Sequence, residues 1–137
     1  MDRRVRIAFA LVILAQAAHS VEEYVFQLYE VFAPARWVSG LFSANASVGF
    51  ALANAILVLF GIWCYWARVR PGHPSARDYA WFWACLELVN GINHLLVAAI
   101  RGAYFPGVWS APLLIVTSLY LGATLVWNKR KGDAVTA

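Results

Sequence analysis

Charge is scarce in this sequence. Asp, Glu, Lys and Arg make up 13% of its 137 residues, against about a quarter in an ordinary soluble domain. That scarcity, with 62% of residues apolar, excludes a water-soluble globule and leaves the lipid bilayer as the fitting solvent. Cysteine is nearly absent as well. Cys64 and Cys85 are the two present, both within apolar segments and without zinc-type spacing, which excludes a disulfide scaffold and a cysteine metal knuckle. They read as small core hydrophobes. Acidic residues number seven against eleven basic ones, a net charge of +4, yet no basic stripe runs along any element. The basic residues sit in short clusters at segment ends, a layout that excludes nucleic-acid binding and fits membrane orientation.

What the chain does have is long apolar runs. A bilayer core of about 30 Å needs roughly 20 mainly apolar helical residues, and four stretches meet that length: about Ile7 to Phe32, Ser43 to Trp66, Tyr79 to Ile100, and Val108 to Trp127. The breaks carry turn chemistry, namely Pro34, the Arg68–Pro74 run, and Tyr104-Phe-Pro-Gly. Trp37, Trp66, Trp81, Trp109 and Trp127 fall near span ends, where indoles favour the interface. The expected fold is an all-α, single-domain bundle of four transmembrane helices, with left-handed packing as the default architecture.

The basic clusters orient it. Arg3, Arg4 and Arg6 precede span one, Arg68, Arg70 and Arg77 separate spans two and three, and Lys129, Arg130 and Lys131 follow span four. Only Arg36 and Arg101 of the eleven basic residues fall on the other side. The positive-inside rule makes the crowded side cytoplasmic, so both termini are expected in the cytoplasm. Ala15-Gln16-Ala17 resembles a signal-peptide cleavage site, but apolar character resumes after His19, and the segment reads as a retained first span.

Polar residues interrupt these spans where they are costly. In span one, Gln16, His19, Glu23, Gln27 and Glu30 share a helical stripe about 80° wide, with Glu22 about 60° from His19. His19 stands one turn from both Glu22 and Glu23, a spacing that brings side chains together. In span three, Glu87, Asn90, His94 and Arg101 share a stripe about 60° wide. Counted from Arg6 and Asp78, His19 matches Asn90 in depth and Glu22 matches His94. An ionised carboxylate at mid-bilayer costs about 3 kcal/mol or more. Glu22, Glu23, Glu87, His19 and His94 are therefore expected to face one another and share protons or a cation. Asn54, Thr117, Ser118, Tyr120 and Thr124 would close the pocket from spans two and four.

Three strings carry a family resemblance: His19-Ser-Val-Glu22-Glu23 (HxxEE), Asn90-Gly-Ile-Asn-His94 (NxxxH) and Tyr104-Phe-Pro106-Gly107 (YxPG). In that order on four spans, they resemble the HXXEE domain family of bacterial membrane proteins over roughly Arg6 to Trp127. The resemblance implies a bacterial cytoplasmic-membrane protein and an enzyme that could depend on a metal. It leaves the reaction open. Physically, Pro106 and Gly107 can form a tight reversal that holds Tyr104 over the pocket mouth.

Three function classes remain at this point. An acid–base enzyme would use Glu22 or Glu23 as general acid or base, with His19, His94, Asn90 and Glu87 around it, for isomerisation, cyclisation or hydration of a lipophilic small molecule. Tyr104, Arg101 and Asn54 would contact that substrate. A metalloenzyme would take zinc, iron or manganese on His19, Glu23, Glu87 and His94, with Asn90 orienting His94. A small proton-coupled transporter or lipophile-binding protein would use a buried Glu as its proton site. Partners are the bilayer and a lipid-like molecule. An oligomer is compatible with all three.

Overall fold

The computed structural model describes the backbone of residues 1–136 and the side chains of residues 1–128. Among these the regular structure is entirely helical. Helix α1 spans Arg3–Val25, α2 Leu28–Val31, α3 Ala33–Phe42, α4 Ala46–Cys64, α5 Ala76–Arg101 and α6 Ala111–Thr136, and α4 runs on through a π-helical turn, Tyr65–Val69. Four of these helices are long and apolar enough to cross a membrane: α1, α4 with its π turn, α5 and α6. The side chains of the Lys129, Arg130 and Lys131 cluster lie outside the described residues.

Local chemistry sets most helix ends. Asp2 accepts the amide of Arg4 at the start of α1, and Asn45 accepts that of Val48 at 3.1 Å to begin α4. Pro34 occupies the first turn of α3, where a missing N–H costs nothing. Gly102 ends α5 at φ 60°, as an αL cap does.

Span one is shorter than its apolar run predicts. The helix stops at Val25, and Gln27 turns the chain at φ 55°. The next residues, Leu28 and Tyr29, dive into a small core with Ala35, Phe50 and Phe105. Gln27 and Glu30 thus leave the expected stripe and are exposed. Glu30 faces Arg36 at 3.7 Å, and Arg36 also binds the carbonyls of Tyr29 and Glu30. Helices α2 and α3 form a bent cap over the end of the bundle opposite the chain termini.

Apolar side chains cover the outside of the bundle, among them Leu14, Val21, Leu59, Val89, Ile100 and Val116. In lipid such burial contributes little to helix association, and close backbone approach matters more. Gly91 shows this at the α5–α6 seam. A Cβ there would stand 2.8 Å from Ile115 Cγ1 and 2.9 Å from the Ala111 carbonyl. Helix α5 packs chiefly on α6, and α4 on α3, which leaves α4 and α5 with little direct contact.

Candidate functional site

The gap between α4 and α5 leads to the polar residues. His19 and Glu23 lie one turn apart on the buried face of α1, and Glu87 and His94 lie two turns apart on the buried face of α5. The loop from Gly102 to Ser110 folds over their far end. The rings of His19 and His94 meet edge to face, with centroids 4.6 Å apart. His19 therefore stands level with His94 rather than with Asn90, a slip of about one helical turn from the expected depth.

The hydrogen-bond partners assign a proton to Nδ1 of each ring. His94 Nδ1 lies 2.7 Å from the Pro106 carbonyl, which can only accept, so Nδ1 donates. His19 Nδ1 lies 2.7 Å from Ser110 Oγ. That hydroxyl spends its single proton on Glu22 Oε2 at 2.5 Å, so His19 Nδ1 also donates. Both rings then turn Nε2 towards one atom. His94 Nε2 is 3.1 Å and His19 Nε2 3.4 Å from Glu23 Oε1. His19 Nε2 is buried and has no hydrogen-bond partner. Three electron-rich atoms thus converge, mutually within 4.8 Å, in a group that could hold a metal ion. Without a cation or a shared proton among them, the arrangement would be repulsive.

Glu22 points elsewhere. Its Oε1 accepts from Tyr104 Oη at 2.9 Å and from the amides of Gly107 and Trp109, both at 3.1 Å. Its Oε2 accepts from Ser110 N at 2.8 Å as well as from the hydroxyl. Those amides lie at the start of α6, where a carboxylate also meets the favourable end of the helix dipole. Glu22 thus anchors the loop to α1. Tyr104, placed by the sequence over a pocket mouth, is Glu22's hydrogen-bond donor. Burial of its hydroxyl, then the carboxylate that accepts its proton, push the phenol above its ordinary pKa. Phe26 and Trp109 pack around the Tyr104 ring.

Gly107 explains the last letter of the YxPG string. Its φ is 95°, and a Cβ there would lie 2.5 Å from His94 Nδ1 and 2.7 Å from His19 Cε1. Only a residue without a side chain lets the loop close on both rings.

Glu87 is fully buried and stands outside the three-residue metal group. Its partner is Gln16. With the amide nitrogen turned towards Glu87, the contact to Oε2 is 2.6 Å, and the Gln16 oxygen faces Ser20 Oγ at 3.0 Å. Ser20 Oγ also lies 2.6 Å from Asn54 Oδ1, so a polar seam runs from α5 through α1 to α4. Beside it opens a cavity of about 680 Å³, and Glu23, Glu87, His94, Asn54, Asn90 and Asn93 supply its polar wall.

Other expected contributors lie apart. None of the described residues lining this cavity comes from α6. Thr117 and Thr124 turn their hydroxyls back onto carbonyls of their own helix, and Ser118 is buried without a side-chain partner. Arg101 is exposed, donates to the Val31 carbonyl at 3.1 Å and lies over the Phe105 ring. Conversely, Ser110, Ser20 and the Pro106 carbonyl were missed. The one available signal was Ser110's position as the residue before a helix with Pro112 in its first turn.

No curated protein and no solved structure matches this chain. A family model described as "Protein of unknown function with HXXEE motif" matches residues 10–121, a span that contains all three strings and every residue of the converging group, and the chain belongs to that family.

Proposed function

We propose that this chain is a membrane-embedded, metal-dependent enzyme acting on a lipophilic small molecule. His19 Nε2, Glu23 Oε1 and His94 Nε2 would hold the ion. The observation that carries this reading is the convergence of two Nε2 lone pairs on one carboxylate oxygen, with both Nδ1 protons committed elsewhere and His19 Nε2 unpartnered. Two histidines and a carboxylate are a ligand set of zinc hydrolases and of non-haem iron enzymes. The metal would supply Lewis acidity, polarising a substrate oxygen.

The chain's own residues do the rest. Ser110 and the Pro106 carbonyl hold the imidazoles in the tautomer that leaves Nε2 free, as outer partners of metal-binding histidines do. Gly107 and the aromatic cap exclude water from the far end. Glu87, on the cavity wall and outside the ligand group, is placed to give or take a proton at the substrate, with Gln16 orienting it. The basic clusters support a bacterial cytoplasmic-membrane location with both termini inside.

A second reading uses the same atoms without a metal. The 3.1 Å contact of His94 Nε2 with Glu23 Oε1 would then be a shared proton, and the pair would serve as acid and base for isomerisation, cyclisation or hydration. Elemental mass spectrometry separates the two. Detergent-purified protein without a polyhistidine tag is compared with the His19→Ala, His94→Ala double variant. Near-stoichiometric zinc, iron or manganese, lost in the variant, is the expected result. Absence of metal from the unmodified protein, even after incubation with each ion, would refute the metal reading.

A further inference from the structure

The cavity beside the polar residues has a shape and a charge pattern that specify more than a lipophilic ligand. It opens sideways. Ile56 and Phe60 of α4 and Val89 of α5 line it and are also exposed on the outer surface of the bundle. The mouth therefore lies in the wall that faces acyl chains. Towards the bundle end it is lined by α3, through Pro34, Ala35, Val38 and Phe42. A molecule approaching from water at that end would meet this apolar roof, whereas one dissolved in the bilayer meets an open side.

The polar wall is rich in amides and carboxyls and carries no lysine or arginine among the described residues. Glu23 and Glu87 lie on it with Asn54, Asn90 and Asn93. The two arginines at this end of the bundle are engaged elsewhere, Arg36 with Glu30 and Arg101 with the Val31 carbonyl. In the metal-free protein a phosphate headgroup would arrive beside carboxyl groups with no guanidinium or ammonium to receive it, a like-charge placement that costs several kcal/mol. Asparagine amides instead both donate and accept, which suits a hydroxyl, carbonyl or ester oxygen.

We infer that the cavity takes an uncharged lipid, such as a long-chain alcohol, aldehyde or ester or an isoprenoid counterpart, admitted laterally from the bilayer between α4 and α5. Its oxygen-bearing end meets Asn90, Asn93 and the Glu23–His94 edge, and its chain lies along Ile56, Phe60 and Val89. The inference deepens the proposed function and rests on it for the reaction, but the binding itself needs no metal.

The test is photolabelling of the full chain in lipid nanodiscs with a photoreactive, alkyne-tagged hexadecanol. Label is expected in the peptides covering residues 50–60 and 86–94. From chelator-treated protein, unlabelled hexadecanol should displace it at least about tenfold better than hexadecanoate or phosphatidylglycerol, since the latter two bring an anion to a carboxyl-lined wall. Ala53→Trp, which fills the cavity, should remove the label. Val116→Trp, on the lipid face of α6, should leave it unchanged. Label spread evenly over the bundle, or equal or better competition by phosphatidylglycerol, would overturn the inference, and the competition series needs no variant to fold. The chelator-treated protein should still be labelled in α4 and α5. A failed metal measurement with intact labelling thus refutes the reaction while leaving the ligand class, and the reverse result does the opposite.

Discussion

Alanine at position 107 isolates what the loop does for the two histidines. Gly107 sits at φ 95°, and forcing an L-residue into such a conformation costs about 1–3 kcal/mol. The added methyl would stand 2.5 Å from His94 Nδ1 and 2.7 Å from His19 Cε1 and His94 Cε1. Neither ring has an easy retreat. His94 is tied to the Pro106 carbonyl and backed by Phe105, with ring centroids 5.3 Å apart. His19 is tied to Ser110. Relief requires a shift of several tenths of an ångström, an overpacking cost of about 1–3 kcal/mol. It also moves ligand atoms whose distances to a metal must hold within about 0.2 Å. Gly107→Ala should therefore lower stability by about 2–6 kcal/mol in sum and weaken zinc binding by about 10–100-fold, the range seen when partners of metal-binding histidines are disturbed.

Gly102→Ala is the matching control. Its φ is 60°, but nothing lies within 4 Å of the added atom, so it carries the strain without the collision. It should cost about 1–2 kcal/mol and leave zinc affinity unchanged. Affinity is read by competition with a chromophoric chelator in detergent. Stability is read by thermal unfolding with a thiol-reactive fluorophore that reports exposure of buried Cys64, since exposed Cys85 reacts before heating. If Gly107→Ala matches Gly102→Ala in both readouts, the close approach of loop and imidazoles is not what the glycine is for.

Two further substitutions separate the neighbouring glutamates and the missed serine. Glu22→Gln should lower the unfolding midpoint, because one amide oxygen cannot serve the hydroxyl and amide donors that a carboxylate accepts, and each part-buried donor left over costs about 1–3 kcal/mol. Glu23→Gln should keep or raise the midpoint while abolishing metal binding, since it removes a buried charge without removing a loop contact; equal effects at both positions would contradict the division of roles. Ser110→Ala should weaken zinc binding by about 10–100-fold by freeing His19 Nδ1, and Ser110→Thr, which keeps the hydroxyl, should restore most of it. Zinc affinity unchanged in Ser110→Ala would show that the serine does not hold the tautomer.

The sequence by itself determined the number of long apolar helices, their breaks and the residues that would be expensive to expose to lipid. That legibility has a physical basis. A spanning helix must satisfy its backbone internally and present about 20 apolar residues, so an intruding His19, Glu23, Glu87 or His94 stands out from its surroundings. The HxxEE, NxxxH and YxPG strings marked three segments that the fold brings together, and the chain's family followed from them. Periodicity could not see the end of α1. Nothing near Gln27 is proline or glycine, and the helix breaks there because Leu28 and Tyr29 gain more by packing on Phe50 and Phe105 than by continuing.

Tertiary structure also decided how the two glutamates of one motif divide. At i+3 and i+4 from His19 both stood within reach of it, Glu23 on its stripe and Glu22 about 60° aside, because a helix turns about 100° per residue. That angle sends Glu22 to the loop amides and Glu23 to the histidines. The partners that fix the imidazole tautomers, Ser110 and the Pro106 carbonyl, come from a loop 91 and 12 residues away in sequence. Hydrogen-bond partners at such separations leave no local trace, because only the folded chain brings them within reach.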